Sequence, residues 1–155
     1  MIAAATVKEP SLRELMLAEH EDLAVLLDEV GAAFDTGDRD IAAKAFRELE
    51  LRLADHLAFE DAELLPALAE VDPVEAAALA DAHRALRTLM TELGVGVDLH
   101  VTRASAIAAL VAALRDHAHR EDALLYRWAE ERFDHHARAP WIERLRARVR
   151  RLVTE

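Results

Sequence analysis

Apolar residues recur every three or four positions along most of the chain, which predicts amphipathic helices. The first helix is expected to start after Ser11, because Ser-Leu-Arg-Glu can form a capping box between Ser11 and Glu14. It is predicted to fade by Phe34, and residues 35–38 are predicted to form the next turn. Its apolar stripe contains one histidine, His20.

The same three- and four-residue spacing of apolar positions predicts the second and third helices. The second is predicted over residues 38–70, and Pro66 is expected to kink its last turns because proline has no backbone N–H to donate. The third is predicted to open with Asp72 as its N-cap and to end at Gly94 and Gly96.

The fourth helix is predicted to begin between residues 98 and 104 and to continue to Phe133. A loop is expected over residues 134–139, after which Pro140 starts a fifth, short helix with a row of arginines on one side. The other side of this helix is an apolar face made of Trp141, Ile142, Leu145, Val149 and Leu152.

These elements predict an all-α, up-down-up-down four-helix bundle over residues 11–133. We expect a flexible N-terminus over residues 1–10 and a basic amphipathic helix over residues 140–154 that packs on the bundle. A length of 155 residues suits one domain, and 53% hydrophobic residues with only 4 Gly and 4 Pro favour helices. The expected assembly is a monomer or a homodimer.

Charge and composition exclude several classes of function. The net charge of −11 argues against a nucleic-acid partner, although residues 138–155 hold six arginines against two glutamates. There is no cysteine, so a metal would have to bind imidazole and carboxylate groups. The sequence has no long uncharged apolar run and no leader-like start, which predicts a cytoplasmic protein without a membrane span.

Four histidines lie in the apolar stripes, one on each of the four long helices. Counted from the turns at a rise of about 1.5 Å per residue, they fall at nearly the same depth. Glu60 and Glu121 each follow one of them by four residues, about one turn further along, and so face the same interior. The predicted metal ligands are His20, His56, Glu60, His83, His117 and Glu121.

Two ionised carboxylates in an apolar core cost several kcal/mol each unless a cation compensates them. A pair of divalent ions bridged by Glu60 and Glu121 meets that need. On the donor atoms alone, iron, manganese and zinc all remain candidates.

The order of these residues resembles the hemerythrin family of HHE cation-binding domains. That family has a His, then His-x-x-x-Glu, then a His, then a fourth-helix His with a carboxylate, whereas Glu-x-x-His, typical of other di-iron bundles, is absent here. The similarity covers residues 11–133 and includes the segments 60–66 and 121–128. It implies two iron ions in an oxo- or hydroxo-bridged centre and a small diatomic or peroxide ligand.

Two positions depart from the oxygen-carrying members of that family. Arg87 stands where those members have a second histidine, one turn after His83. Their helix-four carboxylate is an Asp at the position of Asp122, whereas helical geometry favours Glu121, with Asp122 as the second choice.

Because Arg87 leaves coordination positions open, the leading hypothesis is catalase-like decomposition of hydrogen peroxide. The alternative is non-enzymatic binding or sensing of oxygen, nitric oxide or iron, and a structural zinc site is a third hypothesis. Tyr126 and Trp128 are interpreted as core residues or as partners of the ligands. Glu63 shares the face of His56 and Glu60 and could contact the ligands, but it is interpreted first as an exposed residue. The remaining histidines are interpreted as solvated: His100, His119, His135 and His136.

Overall fold

The computed structural model describes residues 9–154, except for the side chains of Val149 and of residues 151–154. Most of the predicted flexible N-terminus, and the predicted contacts of Val149 and Leu152, therefore lie outside the described part. The helices are α1 (Leu12–Thr36), α2 (Arg39–Phe59), α3 (Leu65–Ala69), α4 (Pro73–Asp98), α5 (Ala104–Ala123), α6 (Leu125–Arg132) and α7 (His135–Thr154). Residues 9–154 contain no strand, so the prediction of an all-α fold is confirmed.

The start of α1 is the predicted capping box. Ser11 Oγ accepts a hydrogen bond from the Glu14 N–H at 3.1 Å, and the Glu14 carboxylate accepts one from the Ser11 N–H at 2.7 Å. The helix continues two residues beyond the predicted end at Phe34. It stops at Gly37, whose φ of 73° is left-handed and accessible to glycine at little cost.

The second predicted helix is distorted in its last turns, just before Pro66. A π-helical turn, Glu60–Leu64, joins α2 to α3, and the Leu65 N–H reaches back to the Glu60 carbonyl. Pro66 has no N–H that could donate a hydrogen bond to the carbonyl one turn earlier. The preceding turn can therefore widen into a π-helical turn. The predicted ligand Glu60 is the first residue of the widened turn.

The prediction that Gly94 and Gly96 end the third helix is wrong, because α4 continues to Asp98. A Cβ at Gly96 would lie 2.4 Å from Thr102 Oγ1, so this glycine allows the returning chain to approach closely. The chain leaves the helix instead at His100, whose φ is 57°.

The fourth predicted helix is broken at Leu124, whose φ of −115° and ψ of −66° separate α5 from α6. A single helix to Phe133 was therefore a wrong prediction. This break matters for the site, because it changes the direction of every side chain that follows it.

The last helix begins at His135, five residues before the predicted start at Pro140, and the loop predicted over residues 134–139 is wrong. Asp134 provides the reason, since its side chain accepts a hydrogen bond from the Ala137 N–H at 2.9 Å and caps the helix. Pro140 is accommodated inside α7.

Four long helices surround the core, with α1 contacting α2 and α5, and α4 contacting the same two helices. Two apolar clusters fill the interior, and in α1 the residue His20 lies between members of one cluster, such as Met16, and members of the other, such as Leu27. His83 likewise lies between Leu79 and Leu86. The predicted ligands thus form a polar layer between two apolar layers.

Helix α7 packs against this bundle through both apolar and charged contacts. Trp141, Ile142 and Leu145 are buried in the cluster that contains Met16. Arginines on α7 pair with acidic side chains of the bundle, including Arg144 with Glu63. Glu63 was interpreted as exposed, but it is partly buried under this ion pair. None of the helices within residues 9–154 has the length and apolar character needed to cross a membrane.

We predict that Gly31→Ala and Gly96→Ala change stability in opposite directions. A Cβ added at Gly31 would meet only open space, so alanine there should raise the free energy of unfolding by about 0.5–1 kcal/mol. Gly96→Ala should lower it, because Thr102 must move. Urea unfolding of both variants measures the difference, and equal stabilisation by the two alanines would contradict the role given to Gly96.

Candidate metal centre

All six predicted ligands converge at one depth of the bundle. The contributing elements are α1 for His20, α2 for His56, the π turn for Glu60, α4 for His83, and α5 for His117 and Glu121. Five are buried and the side chain of His117 is only 10% exposed. Two groups, each with its potential ligand atoms within 4.8 Å of one another, share Glu60 and Glu121. One group adds His20 and His56 and is called the His56 half of the cluster. The other adds His83 and His117 and is called the His83 half.

Glu121 lies between the two histidine pairs. Its Oε1 is 2.9 Å from His83 Nε2 and 2.7 Å from His117 Nε2. Its Oε2 is 3.3 Å from His20 Nε2. The two oxygens of this carboxylate therefore face different halves of the cluster, as a bridging carboxylate does.

Glu60 also reaches both halves, although at longer distances. Its Oε2 is 3.6 Å from His56 Nε2 and 3.5 Å from His83 Nε2. Its Oε1 accepts a short hydrogen bond from the hydroxyl of Tyr126. Within residues 9–154 the side chains of Glu60 and Glu121 are both fully buried, so two acidic groups share one site without solvent.

Three carboxylates outside the cluster orient the imidazole rings. Asp122 lies 2.8 Å from His20 Nδ1, Glu19 lies 2.7 Å from His56 Nδ1, and Asp61 lies 2.6 Å from His83 Nδ1. An ionised carboxylate can only accept a hydrogen bond, so each Nδ1 must carry the proton. In the neutral ring the inward Nε2 then has a free lone pair, which is the arrangement of a metal-bound histidine.

The inward nitrogens of His20 and His56 lie 3.1 Å apart. If both rings were neutral and protonated at Nδ1, two lone pairs would face each other across this gap, and a cation between the rings and the carboxylates would convert that repulsion into coordination.

Tyr126 belongs to the same cluster. Its hydroxyl oxygen is 2.9 Å from His20 Nε2, 3.4 Å from Glu121 Oε2 and hydrogen-bonded to Glu60, and its side chain is fully buried. From the sequence it was interpreted as a core residue or a partner of the ligands, and it was not included in the site. Five positions after Glu121 on a regular helix it would point about 140° away, and the break at Leu124 removes that regularity.

The acidic groups in the cluster have displaced pKa values. Burial raises the pKa of Glu60 well above its usual range, and the charge on Glu121 adds to the increase. Burial also acts to raise the pKa of Glu121, but hydrogen bonds from His117, His20 and His83 outweigh it and hold that pKa well below the usual range.

Two neighbours of these carboxylates, His83 and Tyr126, also have displaced pKa values. Burial opposes protonation of His83, but its hydrogen bond to Glu121 and the charge on Glu60 raise its pKa overall. Burial and the charges on Glu60 and Glu121 raise the pKa of Tyr126 well above 10.0. In the metal-free protein the site therefore holds protons that a cation must displace.

The donor set fits a metal ion. Glu60 Oε2 is a buried atom without a hydrogen-bond partner among the described residues. Such atoms are costly in a core unless something else binds them. Imidazole nitrogens with carboxylate oxygens suit iron, manganese or zinc.

The other sequence candidates lie outside the cluster. Asp122, the second choice for the carboxylate, contacts the outer nitrogen of His20 instead of facing the interior. Four histidines are exposed, as predicted from the sequence: His100, His119, His135 and His136. Glu19 and Asp61 had no predicted role, because nothing in their spacing separates them from the many solvated acidic residues of these helices.

A cavity of about 50 Å³ adjoins the cluster between α1, α2 and α5. It touches His20, His56, His117 and Glu121, and its other walls include leucines of all three helices. About 10–15 Å³ of such space is enough for one water molecule, so the cavity has room for a small molecule. Both halves of the cluster are therefore accessible to the same small ligand.

Comparison with known protein families agrees with the residue pattern. The family model described as "Hemerythrin HHE cation binding domain" matches residues 11–129 of the chain. Searches with the chain found no matching curated protein and no matching solved structure. The resemblance identified from the residues is thereby confirmed, and it covers every residue of the cluster.

We predict that metal affinity falls as the pH is lowered, because protons compete with the cation for Glu60. The hydrogen bond from Tyr126 lowers the pKa of Glu60, so Tyr126→Phe should raise that pKa and move the pH profile of iron binding to higher pH. Titration with ferrous iron without oxygen, at several pH values, measures the shift. An unchanged profile in a folded variant would contradict this role.

Proposed function

Because the chain belongs to the hemerythrin HHE cation-binding domain family, we propose that it is a non-haem di-iron protein that reacts with small oxidants. The observation that carries the proposal is the pair of ligand groups that share Glu60 and Glu121. In this arrangement His20 and His56 would hold one ion, His83 and His117 would hold the other, and Glu60 and Glu121 would each offer a carboxylate to both.

We further propose that residues 11–133 form an up-down-up-down four-helix domain and that residues 140–154 belong to an added helix. Support comes from the short connections between the long helices and from the order in which α1, α2, α4 and α5 contact one another. Short connections favour antiparallel neighbours.

Arg87 supports a reactive centre in preference to an oxygen carrier. Its guanidinium lies 2.6 Å from Asp61, outside the cluster, so it adds no ligand to the His83 half. Each ion would then have two histidines and two shared carboxylates, which leaves room for an exogenous ligand.

Hydrogen peroxide is the substrate that we propose. When bound, two iron ions would supply the electron transfer by which one peroxide is reduced to water and another is oxidised to oxygen. The cavity brings a molecule of this size to His20, His56 and His117. Tyr126 donates its hydroxyl proton to a hydrogen bond with Glu60 and so holds a proton within the cluster.

Binding or sensing of oxygen or nitric oxide, without turnover, is the second candidate. The observation that favours it is the mainly apolar wall of the cavity, which includes Leu23, Leu53 and Leu114. Such a wall suits a neutral diatomic ligand. Reversible spectral changes with oxygen or nitric oxide, together with no consumption of peroxide, would favour this candidate.

We predict that His56→Ala and Glu60→Ala each lose most of the bound iron, because each removes a ligand and leaves the remaining charges uncompensated. Metal analysis after growth with iron measures the loss. His119→Ala is the matched control, since this exposed histidine lies outside the cluster on α5. Iron contents of the two ligand variants equal to that of the control would remove these residues from the site.

We predict that the iron-loaded protein releases oxygen from hydrogen peroxide, measured with an oxygen electrode. His56→Ala and Glu60→Ala should give rates near that of buffer, whereas His119→Ala should keep the wild-type rate. Loaded wild-type protein that releases no oxygen would refute the proposed reaction and leave binding or sensing as the function.

A further inference from the structure

One buried cation of α7 lies against the segment that carries His56 and Glu60. Arg148 is 9% exposed, and its guanidinium carbon lies 4.9 Å from the centre of the Phe59 ring. Its Nε and Nη2 donate to Asp55 Oδ2 at 3.0 and 2.6 Å. Arg148 therefore contacts the residue before His56 and the residue before Glu60.

The same guanidinium reaches the cluster through Glu19. Arg148 Nη2 lies 3.9 Å from Glu19 Oε1, and the other oxygen, Glu19 Oε2, lies 2.7 Å from His56 Nδ1. The side chain of Glu19 is only 17% exposed. Its two oxygens thus connect a charge on α7 with the outer nitrogen of a predicted ligand.

The other half of the cluster contains a parallel chain of contacts. Arg87 pairs with Asp61 at 2.6 Å, and Asp61 lies 2.6 Å from His83 Nδ1. There the arginine and the histidine both belong to α4, and the arginine is 39% exposed. In the His56 half the arginine is more deeply buried and comes from a helix outside the four that supply the ligands.

We propose that Arg148 is a positioning residue for the metal centre: it holds Glu19 and the Asp55–Phe59 segment so that His56 presents Nε2 to the ion bound with His20. This inference rests on the proposed metal site and adds a role for α7. A carboxylate that accepts from a ligand histidine fixes the orientation of the ring, and a guanidinium paired with that carboxylate and with Asp55 fixes the position of both.

A purely structural role for Arg148 makes a different prediction. If Arg148 only attached α7 to the bundle, any variant that loosens α7 to the same extent would affect the site equally. Arg144 provides the comparison, because it is on the same helix and pairs with Glu63. This ion pair involves neither Glu19 nor a predicted ligand.

The test compares Arg148→Gln, Arg144→Gln, Glu19→Gln and the double variant Arg148→Gln/Glu19→Gln in the full chain. Binding of ferrous iron without oxygen gives the affinity, and thermal unfolding of the metal-free proteins gives the structural cost. Glu19→Gln should weaken binding about 10- to 100-fold and Arg148→Gln about tenfold. The double variant should be no weaker than Glu19→Gln alone, and Arg144→Gln should bind as wild type does.

Proton–nitrogen correlation spectra of the histidine side chains in the metal-free protein provide a second readout. The His56 Nδ1 resonance, assigned with His56→Gln, should shift in Arg148→Gln and stay in place in Arg144→Gln. Wild-type protein that takes up no iron would refute the proposed function, and these spectra would still decide the contact between Arg148 and His56. Wild-type iron affinity in Arg148→Gln, equal weakening in Arg144→Gln, or an unchanged His56 resonance in Arg148→Gln would each overturn the positioning role.

Discussion

The structure depends on how the charges of two buried carboxylates are balanced. Glu60 and Glu121 are fully buried, and the inward nitrogens of His20 and His56 lie 3.1 Å apart beside them. Without a cation, these groups can be accommodated only by extra protons, as the raised pKa of Glu60 indicates. With cations, the same groups become ligands, and the cost of burying them is offset by coordination.

The fold departs from regular helices at the depth where these ligands meet. The π turn begins at Glu60, and the break between α5 and α6 lies three residues after Glu121. Above and below this layer the helices are regular and their apolar residues form two separate clusters. Irregular turns inside helices are found at functional sites, where they redirect side chains that a regular helix would place elsewhere. Here the break brings Tyr126 into contact with Glu60.

The sequence was sufficient to predict the helical class, the family and the convergence of six side chains, because each of these residues lies in an apolar stripe with helical periodicity. It was not sufficient for Tyr126, since a regular helix would turn that residue away. Gly96 was interpreted as a helix end because glycine usually weakens helices, and the close approach of Thr102 is a tertiary contact that no local pattern encodes. The contacts of Glu19 and Arg148 likewise join residues far apart in the chain.

The most direct test of the central claim is a crystal structure of iron-loaded protein with anomalous diffraction measured at the iron absorption edge. The account predicts two peaks, one beside His20 and His56 and one beside His83 and His117, with Glu60 and Glu121 between them. Diffraction from an iron-loaded crystal that showed no anomalous peak among these six side chains would contradict it.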